Sequence, residues 1–226
     1  MGIQEDFMRH NLTIAVLIAA SLAAPVAASA AGHALPPPRE APAAPLTADD
    51  LALVERAASY LEGLGQMRGH FLQTDPRGAV SQGELYLSRP GKARFEYQSP
   101  ASLLVVADGH TVMVYDRRLK TTDRYPLGAT PLGLFLQKHV RLNQKVSVTR
   151  VDRFAGGYSL TARDGKHETQ GQVTLTFTQA PMSLTEWSIL DAQGGRTTVR
   201  LSNLQPTEGL DPGLFTLRAA AAPAIR

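Results

Sequence analysis

The chain predicts a mainly β protein with few helices: a strongly curved antiparallel sheet, or open barrel, of about eleven strands with helices on its concave side. Three observations lead there. Apolar and polar residues alternate with period two through most of residues 67–204. Turn signals such as Pro90-Gly91, Asp108-Gly109, Gly156-Gly157, Asp164-Gly165 and Gly194-Gly195 separate these runs at short intervals. Helical spacing occurs at only two places beyond the N-terminal region, near residues 47–64 and 130–140.

Thr47-Ala-Asp-Asp50 resembles a capping box, and Leu51, Val54, Ala58, Leu61 and Leu64 follow on one face of a helix. The Asp49-Asp50 pair suits the positive end of that helix better than an acid/base dyad. After Gly63 and Gly65 the period becomes two. Strands are predicted at Met67–Thr74, Gln82–Arg89, Ala93–Gln98, Leu103–Ala107, Thr111–Asp116 and Thr121–Tyr125. Thr130-Pro131 then reads as an N-cap with proline in the first helical position, followed by Leu132, Phe135, Leu136, His139 and Val140 at helical spacing. Strands resume at Val146–Asp152, Tyr158–Ala162, Val173–Thr178, Leu184–Leu190 and Thr197–Leu204. Leu210-Asp-Pro-Gly-Leu-Phe215 is a closing turn that places Leu214 and Phe215 on the core.

One strand carries an anomaly. Leu85, Leu87 and Arg89 share a face by the alternation, so a guanidinium ends an apolar row. A bare charge in an apolar interior costs several kcal/mol or more. Arg89 therefore either reaches water at a rim or meets a carbonyl or carboxylate that crosses to it.

The N-terminal region reads as an export signal. Met8-Arg9-His10 is a short basic start, Leu12 to Val26 an apolar run, and Ala28-Ser29-Ala30 a small-residue cleavage pattern, so residues 1–30 are expected to be removed. Residues 31–46 form a Pro/Ala-rich tether. Residues 47–218 form one domain long enough to bury a core, and 219–226 a loose Ala-rich tail. The chain has no cysteine, which excludes a disulfide scaffold, thiol catalysis and a lipid-modified N-terminal cysteine. These features suit a Gram-negative periplasm.

The formal net charge is +3 and the isoelectric point about 9.3. Basic residues cluster at Arg117-Arg118-Lys120-Arg124 and Lys138-His139-Arg141-Lys145. No aromatics interleave them as a nucleic-acid platform requires, so they read as solvated faces or an anionic-surface contact, and no nucleic-acid partner is expected. No nucleophile elbow, zinc-protease or phosphate-loop motif occurs. His167-Glu168 sits in a polar loop without a second ligand at metal spacing, and His70 is an outward or rim residue. The expectation is a protein that is not an enzyme and has neither metal nor cofactor.

The ordered set Phe71-x-Gln73, Gly83-Glu-Leu-Tyr-Leu-Ser-Arg89-Pro90, Phe95-x-Tyr97-x-x-Pro100, Val106-Ala-Asp108-Gly109, Val114-Tyr115-Asp116 and Thr130-Pro131-Leu132 resembles the LolA family of periplasmic outer-membrane lipoprotein carriers. The resemblance spans residues 50–217 in order and spacing. It implies an unclosed β-barrel with an α-helical lid and an apolar cavity for lipoprotein acyl chains. It also implies loading by a LolCDE-type inner-membrane transporter and delivery to a LolB-type acceptor or to the outer membrane itself, by a monomer. The arginine at position 89 then becomes the latch that holds the lid through its backbone. Phe71, Leu85, Leu87, Phe95, Tyr97, Leu104, Val106 and Met113 are expected on the concave wall, with Leu132, Phe135 and Leu136 on the underside of the lid. A second reading keeps the fold but changes the cargo or role: a binding module for another lipid, such as a glycolipid or hopanoid, or an envelope sensor. The short Ala-rich tail and the tether depart from the enterobacterial pattern and leave the need for a separate acceptor open.

Overall fold

The computed structural model describes residues 45–140, 142, 146–164 and 171–217. The expected signal peptide, nearly all of the tether, His167-Glu168, two members of the second basic cluster and the tail lie outside them.

Thr47 starts helix α1 (Ala48–Gly63) through a complete capping box: the Asp50 amide donates to Thr47 Oγ1 at 3.2 Å, and the Thr47 amide to Asp50 Oδ2 at 2.9 Å. Val54, Ala57 and Leu61 form its buried stripe, whereas Leu51 lies outside the stripe and is exposed. Eleven strands follow: β1 (Gln66–Thr74), β2 (Val80–Ser88), β3 (Lys92–Tyr97), β4 (Leu103–Asp108), β5 (Thr111–Asp116), β6 (Thr121–Pro126), β7 (Val146–Phe154), β8 (Gly157–Asp164), β9 (Gln172–Gln179), β10 (Met182–Leu190) and β11 (Arg196–Pro206). Between β6 and β7 stand a 3₁₀ turn (Leu127–Ala129) and the short helix α2 (Leu132–Leu136). A second 3₁₀ turn (Pro212–Phe215) follows β11.

All eleven strands form one antiparallel sheet in the order β6-β5-β4-β3-β2-β1-β11-β10-β9-β8-β7. Only the β1–β11 pairing is non-consecutive, so the sheet is a meander joined at its middle and free at β6 and β7. It is an unclosed barrel, and the segment that joins its two free edges is the one that carries α2. Register irregularities at Arg68/His70, Leu184/Glu186 and Val148/Arg150 are the bulges that bend strands and strengthen local twist.

The concave side holds the main core. Phe71, Leu85, Leu87, Ala93, Phe95, Tyr97, Val105, Trp187 and Val199 pack there with Val54 and Leu61 of α1 and with Leu132, Phe135 and Leu136. Gly83 on β2 lies between Phe71 and Tyr97 on its neighbours, and their rings meet at 4.8 Å between centroids. A Cβ on Gly83 would stand 2.8 Å from Phe71 Cε1 and 2.1 Å from the Glu96 carbonyl oxygen. Only glycine admits this contact.

Three expected wall residues lie on the other side. Leu104, Val106 and Met113 form a separate convex cluster with Tyr115 and Leu217. The inward parity is set by Phe95, which pairs with Val105, which in turn pairs with Val114. The alternation misled because β4 is buried on both faces: Leu104, Val105, Val106 and Ala107 are all fully covered. The C-terminal 3₁₀ turn packs over β3 and β4 and supplies the outer cover, with Phe215 buried and Leu214 half-buried. Arg94 fastens that cover: it donates to Glu96 Oε2 at 3.0 Å and to the Leu214 carbonyl at 3.1 Å, while Arg117 donates to Glu96 Oε1 at 2.7 Å.

Candidate functional site

The β2–β3 turn, Arg89-Pro90-Gly91, meets the end of α2. Gly91 has φ +83° and its Cα faces Gly109, where an added Cβ would come within 2.8 Å of the Gly109 Cα. Its amide donates to the Leu136 carbonyl at 2.7 Å. Arg89 Nη2 donates to the Gln137 carbonyl, one residue beyond the helix. These are carbonyls that a helix C-terminus leaves without intrahelical partners. Of the two alternatives the sequence left for Arg89, water at a rim or a polar partner, the structure shows a backbone carbonyl as partner.

Arg89 is only partly satisfied. Its Nε and Nη1 are buried without a hydrogen-bond partner. Burial lowers its pKa from the usual guanidinium value, and the nearby Glu62 charge opposes that shift. An arginine remains charged under such conditions, so the group sits at an energetic cost in the closed arrangement. On the far side, the Val140 amide donates to Glu62 Oε1 at 2.8 Å, tying the segment after α2 to α1.

Helix α2 differs from its sequence reading in two ways. It spans five residues, leaving His139 and Val140 outside it, and Thr130 does not cap it. Thr130 Oγ1 donates instead to the Leu127 carbonyl at 2.8 Å, closing the preceding 3₁₀ turn, and Pro131 occupies the N-cap. The two turns are pressed together: a Cβ on Gly133 would lie 2.4 Å from the Leu127 carbonyl oxygen.

Leu132, Phe135 and Leu136 are buried against the sheet. The Phe135 ring packs on Trp187 at 5.3 Å, and Trp187 on Phe95 at 6.0 Å. Trp187 is thus the bridge between helix and wall, and sequence reasoning did not single it out. Leu184 and Trp187 are both buried although three residues apart, because the bulge between Leu184 and Glu186 reverses the parity of β10. The one available signal was that this is the chain's single tryptophan, set in a strand.

Of the expected wall, Phe71, Leu85, Leu87, Phe95 and Tyr97 are gathered on the concave side, and Leu104, Val106 and Met113 are not. Tyr97 carries a polar atom into this core, where it donates to Gln73 Oε1 at 2.8 Å, and burial raises its phenolic pKa. Beneath α2 a cavity of about 30 Å³ remains, walled by β4, β5, β10 and β11 and roofed by Pro131 and Leu132. That is room for one water molecule, not an acyl chain.

Among the described residues no group of three or more His, Asp or Glu side chains is gathered as a metal site requires, and no helix is long and apolar enough to cross a membrane.

Residues 62–218 match the family model described as "Outer membrane lipoprotein carrier protein LolA". Curated relatives named outer-membrane lipoprotein carrier protein include one from Chromobacterium violaceum, 26% identical over 89% of this chain and 89% of its own length. Another, from Methylobacillus flagellatus, is 29% identical over 67% of this chain and 78% of its own. A third, from Coxiella burnetii, is 27% identical over 61% of this chain and 67% of its own.

Proposed function

This chain belongs to the LolA family of outer membrane lipoprotein carrier proteins, and from that premise we propose that it carries lipoproteins across the periplasm with their acyl chains held between the curved sheet and α2. It is exported by residues 1–30, works as a monomer, takes cargo from a LolCDE-type transporter and yields it to a LolB-type acceptor or to the outer membrane.

The observation that supports this reading best is the contact between α2 and the β2–β3 turn. An apolar helix covers an aromatic wall, yet it is held at its C-terminal end by two polar contacts, from Arg89 and Gly91, at the rim. Apolar burial there is non-directional and tolerates exchange of one greasy occupant for another. The polar contacts define one closed geometry. Leu132, Phe135 and Leu136 occupy the place that acyl chains would take, so the helix acts as a built-in competitor for the wall.

The energetics suit reversible transport. Burying an acyl chain yields about 0.8 kcal/mol per CH₂, and the membrane offers the same chain a similar gain. A carrier must remain close to that balance for cargo to leave. Restoring the Arg89–Gln137 bond, worth about 1.5–3 kcal/mol for a charged donor, favours the empty closed state and so assists release.

Native mass spectrometry of the protein purified from periplasm tests this directly. Adducts with the mass of acylated lipoprotein are expected. Free glycolipid or hopanoid adducts in their place would favour the second reading, and absence of any lipid adduct under gentle conditions would contradict both.

A further inference from the structure

The cavity under α2 is lined by a fully buried hydroxyl that no group of the protein satisfies. Thr197 on β11 is 2% exposed, its Oγ1 has no hydrogen-bond partner, and its side chain lines that cavity. It pairs across strands with Ile189 and lies two residues from the inward Val199. Two other hydroxyl-bearing residues line the cavity: Thr130, whose Oγ1 donates to the Leu127 carbonyl, and Tyr125, which is only half-buried.

Valine has the shape of threonine without the hydroxyl, and Val105, Val112, Val114 and Val199 supply the surrounding wall. A valine at 197 would fit the same surface and leave no donor without a partner in the protein, so the hydroxyl adds nothing to the packing of the closed state. A buried donor in an apolar enclosure is matched by a guest that brings an acceptor and little else polar. An acyl ester is such a guest: its carbonyl oxygen accepts, it offers no proton, and both its flanks are hydrocarbon.

Building on the carrier reading, we propose that Thr197 donates a hydrogen bond to the ester carbonyl of a bound acyl chain. It thereby fixes how deep the chains slide and makes the site prefer ester-linked over ether-linked lipid. The hydroxyl has no partner within the protein when α2 covers the wall, and the carbonyl of a chain that replaces the helix supplies one. Lipoprotein diacylglyceryl groups and phospholipids share this ester chemistry.

Trp187 lines the same cavity and is the chain's single tryptophan, so its quenching by brominated acyl chains reports entry. The full exported protein is titrated with brominated diacylglyceryl-cysteine lipopeptide, with its dialkyl-ether counterpart, and with brominated phosphatidylglycerol in ester and ether forms. The wild type and Thr197→Ser should bind the ester form roughly two- to tenfold more tightly than the ether form, the range of one neutral hydrogen bond. Thr197→Val should bind both forms equally, and its Tm without lipid should rise by about 2–4 °C. The lipopeptide and phospholipid arms show which source of ester the site takes. Equal binding of ester and ether by the wild type overturns the role of Thr197 while leaving the carrier reading intact. No quenching of wild-type Trp187 by any acyl probe overturns the carrier reading, and the role of Thr197 falls with it.

Discussion

Replacing Arg89 with leucine separates a latch from an ordinary structural residue. The substitution removes the bond to the Gln137 carbonyl, while Gly91 to Leu136 at 2.7 Å and Val140 to Glu62 at 2.8 Å survive. A charged donor contributes about 1.5–3 kcal/mol, and 2 kcal/mol is about a 30-fold change in an equilibrium constant. Against this, leucine relieves the burial of a guanidinium whose Nε and Nη1 have no partner. Global stability should therefore change little, because the lost bond and the removed desolvation oppose each other. Local opening of α2 should rise by up to about 30-fold, less the part offset by the same desolvation. Amide hydrogen exchange resolves the two: the Leu134 and Gln137 amides, bonded to Pro131 and Gly133 carbonyls, should exchange faster, by up to about 30-fold, while the core strands keep their rates. Arg89→Leu should also slow lipoprotein transfer to acceptor membranes, since the closed state no longer competes for the wall. Lid amides exchanging at the wild-type rate, together with normal transfer, would refute the latch.

Gly83→Ala should destabilise the fold by about 1–3 kcal/mol, because its Cβ meets the Phe71 ring and the Glu96 carbonyl; thermal unfolding by circular dichroism measures it. Trp187→Ala should cost about 3–5 kcal/mol in urea titration by emptying the bridge between Phe95 and Phe135. Burial pushes the Glu96 carboxyl up, but hydrogen bonds and charge from Arg94 and Arg117 outweigh it and hold the pKa below its ordinary 4.5. Its contribution to stability is thus present above that value and lost as pH falls below it. Between pH 5 and pH 3 the wild type should therefore lose more in Tm than Glu96→Gln does.

The strand pattern was legible because each strand is short, alternating and bounded by a turn signal. The unclosed meander followed, with α1 and α2 on its concave side. Face assignment was legible only where one face meets solvent. On β2, Leu85 and Leu87 alternate with half-buried Glu84 and Tyr86, and the inward side is plain. On β4 both faces are covered, and the period carries no information about which side is inside. The contribution of Trp187 was hidden for a different reason: a bulge adds a residue, and the parity read from Leu184 fails beyond it. Helix α2 appeared longer in sequence because Val140 continues the apolar spacing, although it is buried from outside the helix. That Arg89 must reach either water at a rim or a polar partner was readable from charge and period. That the partner is the Gln137 carbonyl depends on where the β6–β7 connection passes, which local sequence does not encode.

On the proposed mechanism acyl chains replace α2 on the concave wall. A photo-crosslinking residue placed at 135, beneath α2, and separately at 113, on the convex cluster, tests it in cells that export the protein. Lipoprotein acyl adducts are expected at 135 and none at 113. Equal labelling of the two positions, or no lipid adduct at 135, would contradict it.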